Sequence, residues 1–184
     1  MTSEEVRASI LAASGALNRQ VYGVSVYPDI PKEVLAGQSI PGKDWYPERN
    51  TPRDKARRSI YIFQKRSLRY PLLENFDAVE MDRTTAARFA SVQPMQAISL
   101  MNSTLLQEQA QTLATRVENE VGTKPEAFVT RLFSLVTQRP ATMAEVTQLQ
   151  TLLEKLEKRG QTPENARKAL ALTCLNLNEF LYLD

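Results

Sequence analysis

The sequence contains no histidine and a single cysteine, Cys174. Without histidine, the chain by itself cannot form a Ser-His-Asp or Cys-His catalytic system, a histidine-ligated zinc site or a histidine-ligated haem. One cysteine excludes an intrachain disulfide and any site that several cysteines build, such as an iron–sulfur cluster. We therefore expect the chain to bind no metal and no cofactor.

Long apolar runs are also missing. No run approaches the ~20 residues that a membrane-spanning helix needs, so we expect no membrane span. The first five residues lack the basic and apolar regions of a secretory signal, and the residues alone do not indicate a localisation. With 42% hydrophobic and 24% charged residues, the composition is typical of a globular protein with a core of its own.

The net charge of +2 conceals a local asymmetry. Residues 53–69 carry seven basic side chains and one acidic side chain, Asp54, and residues 74–82 then carry four acidic ones. The basic residues are Arg53, Lys55, Arg57, Arg58, Lys65, Arg66 and Arg69, and the acidic ones are Glu74, Asp77, Glu80 and Asp82. The overall charge is nearly balanced, and no recognised nucleic-acid-binding motif accompanies the basic residues. We therefore expect no nucleic-acid partner.

Helix signals dominate both ends of the chain. The spacing from Thr2 to Glu5 is that of a capping box and predicts a first helix over about residues 3–17. After Pro94, apolar residues repeat at helical spacing, and capping boxes from Thr123 and Thr142 divide the segment. The spacing predicts that Met95, Ile98 and Met101 face inward, and that the next helix has an apolar stripe made of Leu106, Ala110, Leu113, Val117 and Val121. We predict a mainly α fold: a bundle of about five or six short helices, with at most one short β-hairpin.

Residues 21–53 are rich in proline and glycine and predict an arm, to be held on the core by Tyr22, Tyr27, Trp45 and Tyr46 or to offer those rings to a sugar. Residues 59–63 are β-branched and aromatic and favour a strand, although five residues do not distinguish a strand from an extended crossing segment. The expected organisation is an N-terminal helix and arm over residues 1–56, packed on a helical domain over residues 57–184. Residues 176–184 are expected to fold against the bundle because several of them are apolar.

Several ordered motifs together resemble the planctomycete family named domain of unknown function fifteen fifty-three. They are Arg57, Arg58, Ser59, Ile60 and Tyr61; Lys65, Arg66 and Ser67; residues 71–77; Gln93, Pro94, Met95, Gln96, Ala97, Leu100 and Asn102; Arg139, Pro140, Ala141 and Thr142; and residues 175–184. The sequence departs from the family pattern at Gln138, where a glycine often precedes Arg-Pro, and in a shortened segment between Asp77 and Gln93.

The resemblance implies a place in a larger protein. Such modules typically form the C-terminal part of large exported proteins with a c-type cytochrome domain upstream, so the expected partners are upstream domains and any haem would belong to them. It also implies a periplasmic or cell-surface location. The family has no established biochemical activity, so the resemblance implies no catalytic residue.

The basic cluster allows two interpretations. Its arginines could bind a polyanion, such as an acidic or sulfated glycan, or could be neutralised in an ion-pair network. For the network, which Glu74, Asp77, Glu80 and Asp82 would complete, we predict that Arg58 and Arg66 each lie within hydrogen-bonding reach of a carboxylate, with Asp77 and Glu74 as the expected partners. The candidate ligand-binding residues are Arg57, Arg58, Lys65, Arg66, Glu74, Asp77, Gln96 and Asn102.

Three further patterns carry a functional and a structural interpretation. Glu74 and Asp77 could serve as the two carboxylates of a glycan hydrolase, or could pair and cap locally. Gln96 and Asn102 could bind a ligand or satisfy buried backbone groups, and Cys174 falls on an apolar helix face, where a thiol acts as a small hydrophobe. We favour a non-catalytic structural or interaction module of a larger exported protein. The alternatives are a glycan-binding module and a glycan hydrolase.

Overall fold

The computed structural model of the chain describes residues 1–79, 84–87, 91 and 94–182, with the backbone alone at Pro94 and Met95. Two compact units form. The N-terminal unit comprises residues 2–11 and 16–99, and the C-terminal unit comprises Met1 with residues 12–15 and 100–184. The predicted division after residue 56 remains a prediction.

The mainly α class is confirmed. The described residues form ten α-helices: α1 Ser3–Ser14, α2 Lys32–Ala36, α3 Pro52–Lys55, α4 Pro71–Asn75, α5 Pro94–Asn102, α6 Thr104–Val121, α7 Pro125–Thr137, α8 Met143–Lys158, α9 Pro163–Leu175 and α10 Asn178–Leu181. Short 3₁₀ turns occupy Pro47–Arg49 and Ser59–Tyr61. The helix number exceeds the prediction because α2, α3, α4 and α10 have four or five residues each, too few for a periodic apolar pattern.

The predicted strand over residues 59–63 is wrong. Its first three residues form the 3₁₀ turn Ser59–Tyr61, and only two backbone hydrogen bonds join the segment to the arm. The Val26 amide donates to the Tyr61 carbonyl at 2.7 Å, and the Phe63 amide donates to the Val26 carbonyl at 2.9 Å. A single bridge replaces a strand because β propensity depends on a neighbouring strand to pair with, and the described residues contain none.

Hydroxyl side chains cap the starts of α1, α3, α6, α8 and α9. The Thr2 box is formed, with the Thr2 amide donating to Glu5 at 2.7 Å, and the Thr142 box is formed with Glu145. Ser103 caps α6, and Thr162 caps α9. The predicted Thr123 box is wrong, because the N-cap of α7 is Lys124 and makes no side-chain cap. Lysine has no side-chain oxygen that could accept a hydrogen bond from the first amides of the helix.

The C-terminal unit is built on α6 to α9. Helix α6 packs against α7 and α9, α8 packs against α7 and α9, and α10 contacts α7 and α9. The predicted apolar faces are confirmed at the fully buried residues Leu106, Ala110, Leu113, Val117, Phe128, Leu132, Ala166, Leu170 and Cys174. The C-terminal segment is also packed, since Phe180 and Leu181 are buried; Leu183 and Asp184 lie outside the described residues.

The predicted inward face of α5 is wrong. Ile98 and Met101 are about half exposed, whereas Leu100 is fully buried. Leu100 lies roughly 200° around the helix from Ile98, so the buried face is the opposite one. The Met95 side chain lies outside the described residues. Val121, the last residue of the predicted stripe on α6, is also exposed, since it ends the helix.

Gln138 ends α7 in the left-handed conformation, with φ 59°. Its amide donates to the Ser134 carbonyl at 3.1 Å, so glutamine here makes a helix-ending turn that glycine most often makes in proteins. The side-chain amide adds a bond to the Leu135 carbonyl at 2.7 Å. That bond offsets part of the steric cost of a Cβ in this conformation.

Replacing Gln138 with glycine should stabilise the chain by up to about 1 kcal/mol, because the steric cost disappears while one partly buried side-chain hydrogen bond is lost. Gln138→Ala is the matched control: it keeps the steric cost and lacks the bond, so its Tm should fall below the wild-type value. Thermal melting would contradict this account if the glycine variant melted as low as the alanine variant.

Arg139 holds two helix ends together in the C-terminal unit. Its guanidinium lies 2.6 Å from Glu145 at the start of α8 and 2.6 Å from Glu179 in α10, and it stacks on the Phe133 ring at 4.8 Å. The Arg139 hydrogen bond, with those from Thr142, lowers the pKa of Glu145 to about 2. The same arginine lowers the pKa of Glu179.

The ion pairs of Arg139 with Glu145 and Glu179 should make the Tm of the chain depend on pH in the acidic range. A carboxylate whose pKa is lowered on folding stabilises the chain fully above its unfolded pKa of about 4.3 and loses that contribution as the pH falls toward 2. We expect the Tm to fall over this interval, and to fall less steeply in Glu145→Gln, which can still cap Thr142 but cannot titrate. Parallel Tm curves for the two proteins between pH 6 and pH 2 would contradict the prediction.

Candidate functional site

A buried arginine joins α1 to residues 53–69, which we call the basic segment, in the N-terminal unit. The Arg7 side chain has no solvent exposure, and its guanidinium donates to the carbonyls of Arg57 at 2.6 Å and Lys55 at 2.5 Å. Burial lowers the pKa of Arg7, and a hydrogen bond with Tyr70 opposes that shift. Because a buried charge needs hydrogen-bond partners, Arg7 fixes residues 55–57 against α1.

Arg57 is a second buried arginine and points away from solvent. It is 3% exposed, and its guanidinium donates to the Val24 carbonyl at 3.0 Å and to the Tyr22 carbonyl. The guanidinium also stacks on the Tyr61 ring at 3.7 Å. Of the candidate ligand residues, Arg57 is therefore already bound to the backbone of the arm.

The contacts of Arg57 hold an exposed apolar segment, residues 21–24, which we call the apolar tip. Tyr22 has φ 64° and Gly23 has φ 93°, and the Tyr22 amide donates to the Tyr61 hydroxyl at 2.9 Å. The side chains of Tyr22 and Val24 are 82% and 81% exposed. A left-handed conformation is uncommon for a bulky residue, so the clamp sets the direction in which Tyr22 projects.

The other aromatic residues of the arm pack together. The Tyr27 ring lies 5.5 Å from Trp45, 5.8 Å from Tyr46 and 5.0 Å from Phe63. Trp45 is 4% exposed and donates from Nε1 to the Pro28 carbonyl at 3.0 Å. These rings fasten the arm to the basic segment, and Tyr22 stands apart from them in solvent.

Arg58, Ser59 and Ile60 border a groove of about 680 Å³ in the N-terminal unit, which we call the α1 groove. The 3₁₀ turn presents them, closed by the Tyr61 amide on the Arg58 carbonyl at 3.0 Å. Helix α1 supplies the opposite border, with Glu4 and Ala8 among its residues. Arg58 and Ile60 are exposed, whereas Ser59 is 4% exposed and its hydroxyl lacks a hydrogen-bond partner among the described residues.

The predicted ion pairs of Arg58 and Arg66 are wrong. Both side chains are exposed, and no carboxylate of the described residues pairs with either. Glu74 lies instead 3.7 Å from Arg69. The prediction failed because charge order along the sequence does not fix the directions of side chains that flank a turn. Glu80 and Asp82 lie outside the described residues.

Asp77 and Lys65 bind the protein's own chain. Asp77, at φ 57°, accepts hydrogen bonds from the Ser91 amide and hydroxyl, each at 2.7 Å. The Lys65 ammonium donates to the Lys43 carbonyl. Asp77 therefore holds a turn in place, which leaves no free pair of carboxylates at residues 74 and 77.

The remaining candidate ligand residues, Gln96 and Asn102, differ in burial. Gln96 is buried and donates to the Ser91 carbonyl at 3.0 Å, as its structural interpretation predicts, whereas Asn102 is exposed at the end of α5. Gln93 lies outside the described residues. Cys174 is fully buried, and burial raises the pKa of its thiol to about 12, which keeps it protonated and unreactive.

Sequence reasoning missed the apolar tip, Ser59 and Ile60 as parts of a possible site. Val21, Val24 and Ile60 are β-branched, a side-chain type that is common in strands. A strand prediction places about half of such side chains in the interior, so it does not identify them as exposed. One signal was available for the tip: glycine between two apolar residues marks a turn, and turns lie on the surface.

No helix among the described residues is long and apolar enough to cross a membrane. Within the same residues, no cluster of three or more His, Cys, Asp or Glu side chains could hold a metal ion. The expectation that the chain binds neither metal nor haem stays a prediction.

One family model matches most of the chain. It is described as "PSD1: Protein of unknown function (DUF1553)" and matches residues 1–153. The matched range contains the whole basic segment, the apolar tip and the α1 groove. No match was found among curated proteins or solved structures.

Replacing Arg57 with lysine should release the apolar tip. Lysine keeps the charge but cannot reach two carbonyls with a planar fork, and losing a charge-assisted bond should speed hydrogen exchange at the Tyr22 amide about tenfold or more. Arg58→Lys is the matched control, since Arg58 is exposed. Hydrogen exchange followed by NMR would contradict the clamp if both variants exchanged at the wild-type rate.

Proposed function

The chain belongs to the DUF1553 family of proteins of unknown function, and from that premise we propose that it is a non-catalytic interaction module of a larger exported protein. One observation carries the proposal: large apolar side chains are exposed to solvent on a backbone that hydrogen bonds from buried groups hold in place. Tyr22, Val24 and Ile60 are each more than 80% exposed.

Single exposed apolar residues are common and need no explanation. The apolar tip differs because Arg57 and Tyr61 fix its backbone through three hydrogen bonds. A backbone segment that is already ordered loses little conformational entropy when a partner binds it. Tyrosine is also one of the residues that most often dominate binding energy at protein interfaces.

The contacts of the candidate residues support an interaction role over catalysis. Arg57 and Lys65 bind backbone carbonyls, Asp77 binds Ser91, and Glu74 lies beside Arg69. A glycan hydrolase needs two carboxylates that face a substrate across a cleft. The contacts of Glu74 and Asp77 give that alternative no support.

The proposed partner is the upstream part of the same parent protein. The family resemblance implies upstream domains, including a c-type cytochrome domain, and an exported location. An intramolecular partner is present at a high effective concentration, so a small, ordered apolar contact is sufficient to hold two domains together.

A second candidate function is the binding of an acidic or sulfated glycan. The observation in its favour is that Arg58 and Arg66 are exposed and have no carboxylate partner in the part of the chain that the structure describes. Free guanidinium groups bind sulfate and carboxylate through paired hydrogen bonds.

Removing the apolar side chains of the tip should weaken binding to the upstream polypeptide of the same gene. Asparagine tolerates the left-handed conformation of residue 22, so Tyr22→Asn combined with Val24→Thr should keep the fold. Each buried side chain contributes ~1.5–3 kcal/mol, so Kd should rise about 100-fold or more. Isothermal titration calorimetry measures the change.

Ile40→Thr is the control, because Ile40 is an exposed residue of the same arm outside the tip. Its Kd should equal that of the wild type. A gene without upstream domains, or an upstream polypeptide that does not bind the wild-type chain, would overturn the proposed function. Equal binding by the tip variant would show that the tip is not the contact.

A further inference from the structure

We propose that the partner surface that covers the apolar tip is acidic, with an apolar pocket for Tyr22 and carboxylates around that pocket. This inference rests on the proposed function, because it names the chemistry of the partner at the same site. Its basis is an excess of positive charge in the part of the N-terminal unit that holds the tip.

Two buried arginines hold the tip without a carboxylate partner. Arg57 donates to the carbonyls of Tyr22 and Val24. Arg7 donates in turn to the Arg57 carbonyl at 2.6 Å. Neither guanidinium forms an ion pair among the described residues. A carbonyl stabilises a guanidinium but does not cancel its charge, and a buried charge is screened less than an exposed one, so both charges act on the nearby surface.

Arg19 and Arg53 add exposed positive charge beside the tip. Asn18 joins their two segments, because its amide donates to the Ala56 carbonyl at 3.0 Å and its side chain donates to the Arg53 carbonyl at 3.0 Å. Both arginine side chains are exposed, and neither forms an ion pair in the part of the chain that the structure describes. Their charges are therefore available to a partner.

Acidic side chains in the same region already have partners within the chain. Asp29 lies 2.8 Å from the Lys55 ammonium, so these two charges cancel. Asp54 accepts hydrogen bonds from the Thr51 amide at 3.0 Å and from the Thr51 hydroxyl at 2.7 Å. The Asp54 carboxylate is thereby held at the start of α3, where it offsets one arginine.

The local charge remains positive when the α1 groove is included. Glu4 and Glu5 border that groove together with Arg58. Five arginines then stand against three carboxylates that are not paired with Lys55: the arginines are Arg7, Arg19, Arg53, Arg57 and Arg58, and the carboxylates are those of Glu4, Glu5 and Asp54. The surroundings of the tip therefore attract negative charge.

Covering the tip also affects the buried Arg57. A partner over Tyr22 and Val24 excludes water from the carbonyls that Arg57 binds and from the region around its guanidinium. An apolar or basic partner surface would leave that charge with less solvation, which is unfavourable. Carboxylates at the edge of the partner's pocket restore the lost solvation and lie within reach of exposed arginines beside the tip.

The fixed direction of Tyr22 favours a protein pocket over an anionic lipid surface. Residue 22 has φ 64°, and its amide is held by the Tyr61 hydroxyl at 2.9 Å. A pocket of defined shape takes an aromatic side chain in one direction, whereas a fluid lipid interface sets no such requirement. The clamp on the tip is therefore more useful to a protein partner.

The test measures the association rate constant, kon, of the whole chain with the upstream polypeptide of the same gene, by stopped-flow fluorescence. Combining Arg19→Gln with Arg53→Gln should lower kon about threefold or more in low salt, because steering by charge acts on association. The difference should disappear in about 1 M salt, where the Debye length is about 3 Å. The Tm should stay at the wild-type value, since both side chains are exposed and unpaired among the described residues.

Lys155→Gln combined with Arg159→Gln is the matched control, because it removes the same charge from exposed positions of the C-terminal unit. Its kon should stay within about twofold of the wild-type value. Equal falls in the two double variants would show a general effect of net charge and would overturn the inference. A wild-type kon that does not fall as salt is added would also overturn it.

The remaining outcomes separate this inference from the proposed function. If the upstream polypeptide binds through the tip but kon depends on neither arginine, the inference fails while the proposed function stands. If the upstream polypeptide does not bind, both fail. Vesicles that contain phosphatidylglycerol test the lipid alternative: binding to them that is lost in Tyr22→Asn, without binding to the upstream polypeptide, would assign the tip to a membrane surface instead.

Discussion

Two guanidinium groups taken out of water determine how the N-terminal unit is arranged. Arg7 binds the carbonyls of Lys55 and Arg57, and Arg57 binds those of Tyr22 and Val24. A buried charge is costly unless hydrogen bonds surround it, so α1, residues 55–57 and the apolar tip must lie where these carbonyls converge. The Nε atoms of both arginines lack a partner among the described residues, so the arrangement is stabilising only if the carbonyl contacts persist.

The same constraint explains why neighbouring residues of the basic segment have opposite roles. Arg57 and Ser59 are buried, whereas Arg58 and Ile60 are exposed. The backbone carbonyl of Arg57 is held by Arg7 and its side chain by the arm, so the next residues alternate between the interior and the groove. One arginine of an adjacent pair therefore stabilises the fold, and the other remains available to a ligand.

The long helices were predictable from sequence because each signal is local. Thr142 and Glu145 stand three residues apart, and Leu106, Ala110, Leu113 and Val117 repeat on one face, which requires no knowledge of the rest of the fold. The site was not predictable in this way. The charge count identified Arg57 and Arg58 equally, and only the positions of the Tyr22 and Val24 carbonyls, more than thirty residues earlier, distinguish them. The strand prediction over residues 59–63 failed for the same reason: whether a β-prone segment forms a strand depends on a neighbouring strand, which a local pattern does not reveal.

Rigidity links the fold to the proposed function. Tyr22 adopts an uncommon left-handed backbone, a conformation that costs about 1–3 kcal/mol and persists only where surrounding contacts enforce it. Arg57 and Tyr61 enforce it, so part of the folding free energy of the unit is used to hold one aromatic side chain in solvent. When a partner covers Tyr22, the ordering has already occurred during folding, and the free energy of burial contributes to binding with little entropic loss. Under the proposed function, the buried arginines would thus use part of the folding free energy to order the backbone of a binding surface in advance.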